Sequence, residues 1–283
     1  MRARSRCAIA RSCRSRSCST SSRATRRPTS AIRSDRPHAT QSNMSTTLTT
    51  AMIFAAGRGE RMRPLTDTRP KPLLEVGGKP LIVWQIEALA RAGIETIVIN
   101  HAWLGEQIEA ALGDGSRWGV RLAYSAEGDA LETAGGIAQA LPLIERDGQP
   151  AVFAAVSGDV YCAFDYRTLA PRAARMAALD TPAMHLVMVP NPPFHPAGDF
   201  ALGDDGCLAL DGAARFTFGN IGLYDTRMFR DLEPGTRRAL TPYYRAAIEA
   251  GHASGELYEG IWENVGTPAQ LGELDARLRA AAS

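Results

Sequence analysis

The feature that most constrains this chain is the alternation, from Ala51 onward, of short apolar runs with longer amphipathic ones. Ala51-Met-Ile-Phe-Ala-Ala56 is followed by an amphipathic stretch over residues 81–92 and by a second apolar run, Ile94-Glu-Thr-Ile-Val-Ile-Asn100. Strand-length runs separated by helix-length stretches predict βαβ units. Ala92-Gly93 supplies a helix stop, residues 103–112 read as the next helix, and Gly113-Asp-Gly115 ends it. A third strand is expected over residues 120–124, then a helix around residues 136–143. Ala151-Val-Phe-Ala-Ala-Val156 is apolar at every position, as a parallel strand buried on both faces must be. Ligands of open α/β sheets bind beyond the carboxyl ends of the strands, so Ser157-Gly-Asp159 and the loop over residues 58–63 are expected at one crevice. Beyond Asp180 the pattern turns strand-rich, with runs at 184–189, near Phe200 and at 216–224 around a Pro-rich turn at 191–196. This predicts a second lobe on the same sheet. Two terminal helices, near 241–250 and 268–281, flank Trp262-Glu-Asn-Val-Gly-Thr267. The fold class expected is Rossmann-like α/β: a mixed, mainly parallel sheet flanked by helices, in a single domain over residues 44–283 with a strand-rich second lobe.

Charge is distributed unevenly. Residues 1–43 carry 11 Arg against one acid, Asp35, a local +10 within a whole-chain net of +2, so the remainder stands at −8. The acidic body lacks the basic footprint of a nucleic-acid binder. The Ser/Arg-rich segment 1–43, with Cys7, Cys13 and Cys18, has no apolar periodicity and is expected to be disordered. It reads as translated upstream DNA ahead of a start at Met44, the alternatives being a presequence or a nucleic-acid-binding arm. Cys162 and Cys207 are too few for a disulfide framework or zinc site and read as small buried hydrophobes in a reducing cytoplasm. No run approaches the roughly 18 apolar residues of a membrane span.

The chemistry concentrates after the first strand. Gly57-Arg-Gly-Glu-Arg-Met-Arg63 has neither dinucleotide-fingerprint nor Walker spacing. Its glycines permit a tight turn whose N–H groups approach phosphates closely. Arg58, Arg61, Arg63 and Lys71 crowd one segment punctuated by Pro64, Pro70 and Pro72. Like charges repel unless an anion neutralises them, which points to a triphosphate; a solvated basic loop is the alternative. The chain has 30 Arg but only two Lys, Lys71 and Lys79. A compact ammonium suits a single phosphate oxygen better than a guanidinium fork, which singles out Lys71. Lys79 reads as a surface residue ahead of a helix.

Phe54-Ala-Ala-Gly-Arg-Gly-Glu-Arg-Met-Arg-Pro-Leu-Thr66, followed by Pro70-Lys-Pro-Leu73, resembles the signature of sugar-1-phosphate nucleotidylyltransferases. Asp159 in Ser157-Gly-Asp-Val160 and the late Trp262 and Gly266-Thr267 match as well, so the resemblance covers residues 51–280. It implies the nucleotide-diphospho-sugar transferase fold and attack by a sugar phosphate on the α-phosphorus of a triphosphate, with release of pyrophosphate. Arg61 and Lys71 are then the catalytic cations and Asp159 an Mg²⁺ ligand. Ala56, Gly57, Gly59 and Glu60 belong to the nucleotide loop, and Glu127, Gly128 and Thr133 to the base site. Many members carry Asp where this chain has Asn264; an amide oxygen still coordinates Mg²⁺ but brings no charge, unless Glu263 contributes. No Lys follows Val189, where several members hold the sugar phosphate with one.

Asn100-His-Ala-Trp-Leu-Gly-Glu-Gln-Ile108, Leu131-Glu-Thr133 and the segment 191–200 look most like family members that uridylylate N-acetylmuramic acid 1-phosphate in peptidoglycan recycling. Ser157, Asp199 and Asn220 are the expected sugar contacts, although for Asp199 and Asn220 a turn-stabilising role is an equal alternative. His185 and His195 are assigned no catalytic role, because a sugar phosphate is already a charged nucleophile. UTP and N-acetylmuramate 1-phosphate are thus the expected partners, without nucleic acid or membrane, and a homo-oligomer is left open. The alternatives are a mannose-1-phosphate guanylyltransferase, a glucose-1-phosphate nucleotidylyltransferase, and a non-catalytic nucleotide-sugar sensor.

Overall fold

The structure, a computed structural model, describes residues 48–282. The expectations for segment 1–43 and for a start at Met44 lie outside them. β1 (Thr50–Phe54) opens the sheet and runs into the glycine-rich loop. A short hairpin, β2 (Glu75–Val76) and β3 (Lys79–Pro80), leads into α1 (Leu81–Arg91). β4 (Thr96–His101), α2 (Gly105–Leu112), β5 (Arg121–Ala126), α3 (Glu132–Ile144) and β6 (Val152–Ser157) complete the expected βαβ half. β1 pairs in parallel with both β4 and β6, and β4 with β5.

After β6 come β7 (Val160–Cys162), α4 (Ala170–Ala177), β8 (Met184–Val189), β9 (Phe200–Leu202), β10 (Leu208–Ala209) and β11 (Arg215–Asp225). α5 (Thr241–Glu249), β12 (Ala253–Leu257), β13 (Trp262–Asn264) and α6 (Pro268–Ala282) follow. β11 joins the halves. It lies antiparallel to β6, β8 and β9, and β12 runs parallel beside β8. The strand-rich lobe therefore continues the main sheet.

Successive residues of β1 enter opposite layers. Met52 packs with Val98, Ile137 and Phe153, whereas Ile53 packs with Ile82, Ile86 and Ile97 on the other face. Helices thus cover both faces, which is why the central strands read as unbroken apolar runs. A third cluster, Met62, Leu74, Val76, Leu81, Val265 and Leu274, ties the glycine-rich loop to α6 at the far end of the chain.

Several elements were not legible in the sequence. β7 and β13 form a separate antiparallel ribbon of three residues a side. α4 went unread, and β12 is Ala-Ser-Gly-Glu-Leu, without strand periodicity, held by its pairing with β8. The cysteines also need correction: Cys162 and Cys207 are only half-buried, and neither is in a disulfide. Cys162 Sγ lies 3.8 Å from the Tyr166 hydroxyl and accepts from Gln85 Nε2 at 3.7 Å. Lys79 is likewise more than a surface residue, pairing with Glu87 and lying 3.6 Å over the Trp84 ring.

Candidate active site

The carboxyl ends of β1, β4 and β6 open onto a cleft of about 280 Å³. Ala56, Gly57, Lys71, Ser157 and Asp159 line it together with Asn100, Glu127, Ala130, Glu132, Thr133 and Arg237. Lys71 is buried and pairs with Asp159, and Ser157 Oγ donates to the other Asp159 oxygen at 2.6 Å. Residues 88 positions apart in sequence meet here because β1 and β6 are parallel neighbours ending on the same side.

In the cleft wall Asn100 Oδ1 accepts the Ala55 N–H at 3.0 Å, and Asn100 Nδ2 donates to Glu127 Oε1 at 2.6 Å. Glu127 Oε2 accepts the Leu131 N–H at 2.8 Å. Burial pushes the Glu127 carboxyl above its ordinary range, against these two donors. Glu127 thus lines the cleft and also braces its wall. Asn100 was legible only as part of a family motif; its buried polar position at a strand end was the available signal.

The cationic loop is less crowded than its sequence suggests. Arg58 lies 3.7 Å over the Trp103 ring, Arg63 pairs with Asp67 at 2.7 Å, and Arg69 reaches Glu75 at 3.6 Å. Arg61 alone of the loop arginines has no ion pair or ring contact among the described residues; it lies under Gly266, its Nη2 3.5 Å from where a Cβ there would stand. Gly59, Glu60, Arg61 and Gly128 do not line the cleft wall itself. Gly59 has φ 68 and opens a single 3₁₀ turn, Glu60–Met62. A Cβ there would stand 3.0 Å from Lys71 Cβ, so glycine is what lets Lys71 pass beneath the loop.

Asp199, Asn220 and Asn264 lie elsewhere, around a second cavity of about 550 Å³ that also takes in His195, Arg215, Tyr244, Arg245 and Trp262. Asp199 Oδ2 accepts the Phe218 N–H at 2.8 Å and its Oδ1 lies 3.1 Å from His195 Nε2. A bulge in β11 between Phe218 and Ile221 puts Asn220 at φ 55, and the adjoining Gly219 carbonyl accepts Trp262 Nε1 at 2.8 Å. Ser157, grouped with the sugar contacts in the sequence, stands in the first cleft beside Asp159. Asn264 is the register partner of Val160, the residue after Asp159, and the Val265 N–H donates to the Asp159 carbonyl at 3.0 Å. The β7–β13 ribbon therefore carries Asp159 and Asn264 at adjoining positions bordering different cavities. Asn264 Oδ1 is buried with no hydrogen-bond partner among the described residues. Glu263 is engaged with Arg277. His185 lies outside both cavities, fully buried, its Nδ1 2.8 Å from Ser254 Oγ.

Residues 50–193 match the family model described as nucleotidyl transferase. A relative, the N-acetylmuramate alpha-1-phosphate uridylyltransferase of Neisseria meningitidis serogroup B, is 50% identical over 232 residues, 80% of this chain and 96% of its own length. The chain belongs to the nucleotidyl transferase family. This nucleotidyl transferase is also 33% identical over 238 residues to the N-acetylmuramate alpha-1-phosphate uridylyltransferase of Caulobacter vibrioides, covering 81% of this chain and 96% of that one. Its fold is shared with a Bacillus anthracis protein assigned as a glucose-1-phosphate thymidylyltransferase and crystallised with a sucrose, at TM-score 0.69 and 19% identity over 81% of this chain and 95% of the other.

Proposed function

We propose that this nucleotidyl transferase moves a uridylyl group from UTP to N-acetylmuramate 1-phosphate. The observation that carries the reading is the pair between buried Lys71 and half-buried Asp159 in the cleft at the joined ends of β1 and β6, beside a glycine turn. A phosphate oxygen of the sugar attacks the α-phosphorus, the bond to the bridging oxygen breaks, and pyrophosphate leaves. Such a transfer needs positioning and charge neutralisation more than covalent help. Backbone N–H groups at Ala56 and Gly57 and the ammonium of Lys71 receive the triphosphate. Gly59 and Glu60 shape the loop, which brings in Arg61 as the unpaired cation for developing charge. Glu127 and Thr133 bound the base, with Gly128 in the loop behind Glu127.

Asp159 in the first cleft, and the orphaned Asn264 oxygen that borders the second cavity across the ribbon from Val160, are hard donors of the type Mg²⁺ accepts. Bound Mg²⁺ would supply charge neutralisation at the phosphates. Ser157 orients Asp159 through its hydroxyl.

The second cavity favours an acidic sugar. N-acetylmuramate carries a 2-acetamido group and a lactyl carboxylate that mannose and glucose lack, and Arg245 and Arg215 line the cavity with Asp199 and Asn220. The activity of the Neisseria and Caulobacter relatives supports the same choice. Pyrophosphate release from the full chain with UTP, GTP and dTTP, each against N-acetylmuramate, mannose and glucose 1-phosphates, tests the reading. Turnover confined to UTP with the muramate is expected. Turnover confined to GTP with mannose 1-phosphate overturns it, and binding without pyrophosphate at high Mg²⁺ makes the chain a sensor.

A further inference from the structure

Arg237 lies far from every sequence motif, yet it lines the first cleft. Its neighbours are fastened to the start of α3. The Arg238 carbonyl accepts from the N–H groups of Ala134 at 3.0 Å and Gly135 at 3.1 Å, and the Arg238 N–H donates to the Leu131 carbonyl at 2.9 Å. A Cβ on Gly135 would stand 2.3 Å from the Thr236 carbonyl, so only glycine lets the segment sit this close. Glu132, the first residue of α3, is held at φ 60, a left-handed conformation costly for glutamate, and its carboxylate receives Arg237 Nε at 3.2 Å. The start of α3, a ready anion site in other helices, is thus already capped by a carbonyl, and a side-chain cation is presented to the cleft instead.

Two carboxylates, Glu127 and Glu132, stand on this wall with Arg237. A phosphate placed there would be repelled by both of them, whereas a neutral base with carbonyl acceptors would not. We propose that Arg237 is a base-selecting residue, positioned by Glu132, that donates to a pyrimidine carbonyl in the cleft. This rests on the reading of the cleft as a UTP site. A guanidinium only donates, so it favours the 4-carbonyl of uracil over the 4-amino group of cytosine. Selection of UTP over CTP would then reside in the C-terminal half of the chain.

Equilibrium binding of UTP and CTP to the full chain, wild type against Arg237→Ala and Arg237→Lys, tests this. Arg237→Ala is expected to weaken UTP about tenfold, the loss of one charge-assisted hydrogen bond, and CTP by less than about twofold. In turnover the change falls on the KM for UTP more than on kcat. The Arg237–Glu132 pair is exposed and contributes little to stability, so the melting temperature should stay within about 2 °C, and Arg237→Lys should recover part of the UTP affinity. Wild-type binding of UTP with an unchanged Kd in Arg237→Ala overturns the proposal. Equal weakening of UTP and CTP also overturns it, because Arg237 would then serve charge alone. If the wild type binds no UTP, it is the reading of the cleft that fails.

Discussion

Asn100→Asp exchanges one atom and should convert a quiet structural tie into a pH-dependent one. The side chain is 3% exposed, accepts the Ala55 N–H, and donates to Glu127 Oε1 at 2.6 Å. Aspartate keeps the volume and the acceptor but turns the donor into a second carboxylate oxygen. Two unit charges at that separation repel by roughly 6 kcal/mol at an effective dielectric near 20. Keeping one proton at pH 7 on a carboxyl of ordinary pKa near 4 costs only about 4 kcal/mol. Protonation therefore wins, and the variant folds with one proton shared between the introduced carboxyl and Glu127, whose own carboxyl burial already pushes upward. The folded pKa then exceeds the unfolded one, so stability is fully present below about pH 4 and is lost as pH rises toward the folded value. Urea unfolding of wild type and variant at pH 5 and pH 7.5 measures this. The deficit should grow from about 1.4 kcal/mol to about 4 kcal/mol or more. A deficit that does not change with pH would falsify the account of Asn100 as the donor to an ionised Glu127.

Three further perturbations address the chemistry. Asp159→Ala should abolish pyrophosphate release with a native circular dichroism spectrum but a lower melting temperature, since the residue lies outside the apolar clusters yet its loss leaves the buried Lys71 ammonium unpaired; retained turnover refutes its assignment as a metal ligand. Arg61→Ala should lower kcat on the order of 100-fold with little change in thermal stability, and a loss confined to the KM for UTP would give Arg61 a ground-state binding role instead. Asn264→Asp should lower the Mg²⁺ concentration for half-maximal activity on the order of tenfold by adding a charge to a buried oxygen that now has no partner; a higher requirement would place Asn264 away from the metal.

The sheet's parallel half was legible because its strands are buried on both faces, and that burial writes itself locally as runs such as Ala51–Phe54 and Val152–Val156. A crevice at the joined ends of β1 and β6 followed from one topological rule, that parallel neighbours end on the same side, but Lys71 lines it beside Asp159 where residues 58–63 were expected. Elements held by partners rather than by their own pattern were invisible. β12 exists because β8 offers it an edge, and the β7–β13 ribbon because β13 returns to it from about 100 residues away in sequence.

The sequence by itself determined the fold class, the family and the cationic segment, since each is written in residues contiguous along the chain. Only the tertiary structure decided which cations are already neutralised, that Asn264 stands across the ribbon from the residue beside Asp159, that the expected sugar contacts split between two cavities, and that Arg237 enters the cleft. These depend on side chains brought together by strand pairing and helix packing, and no local periodicity encodes which distant residue will fill the remaining side of a cleft.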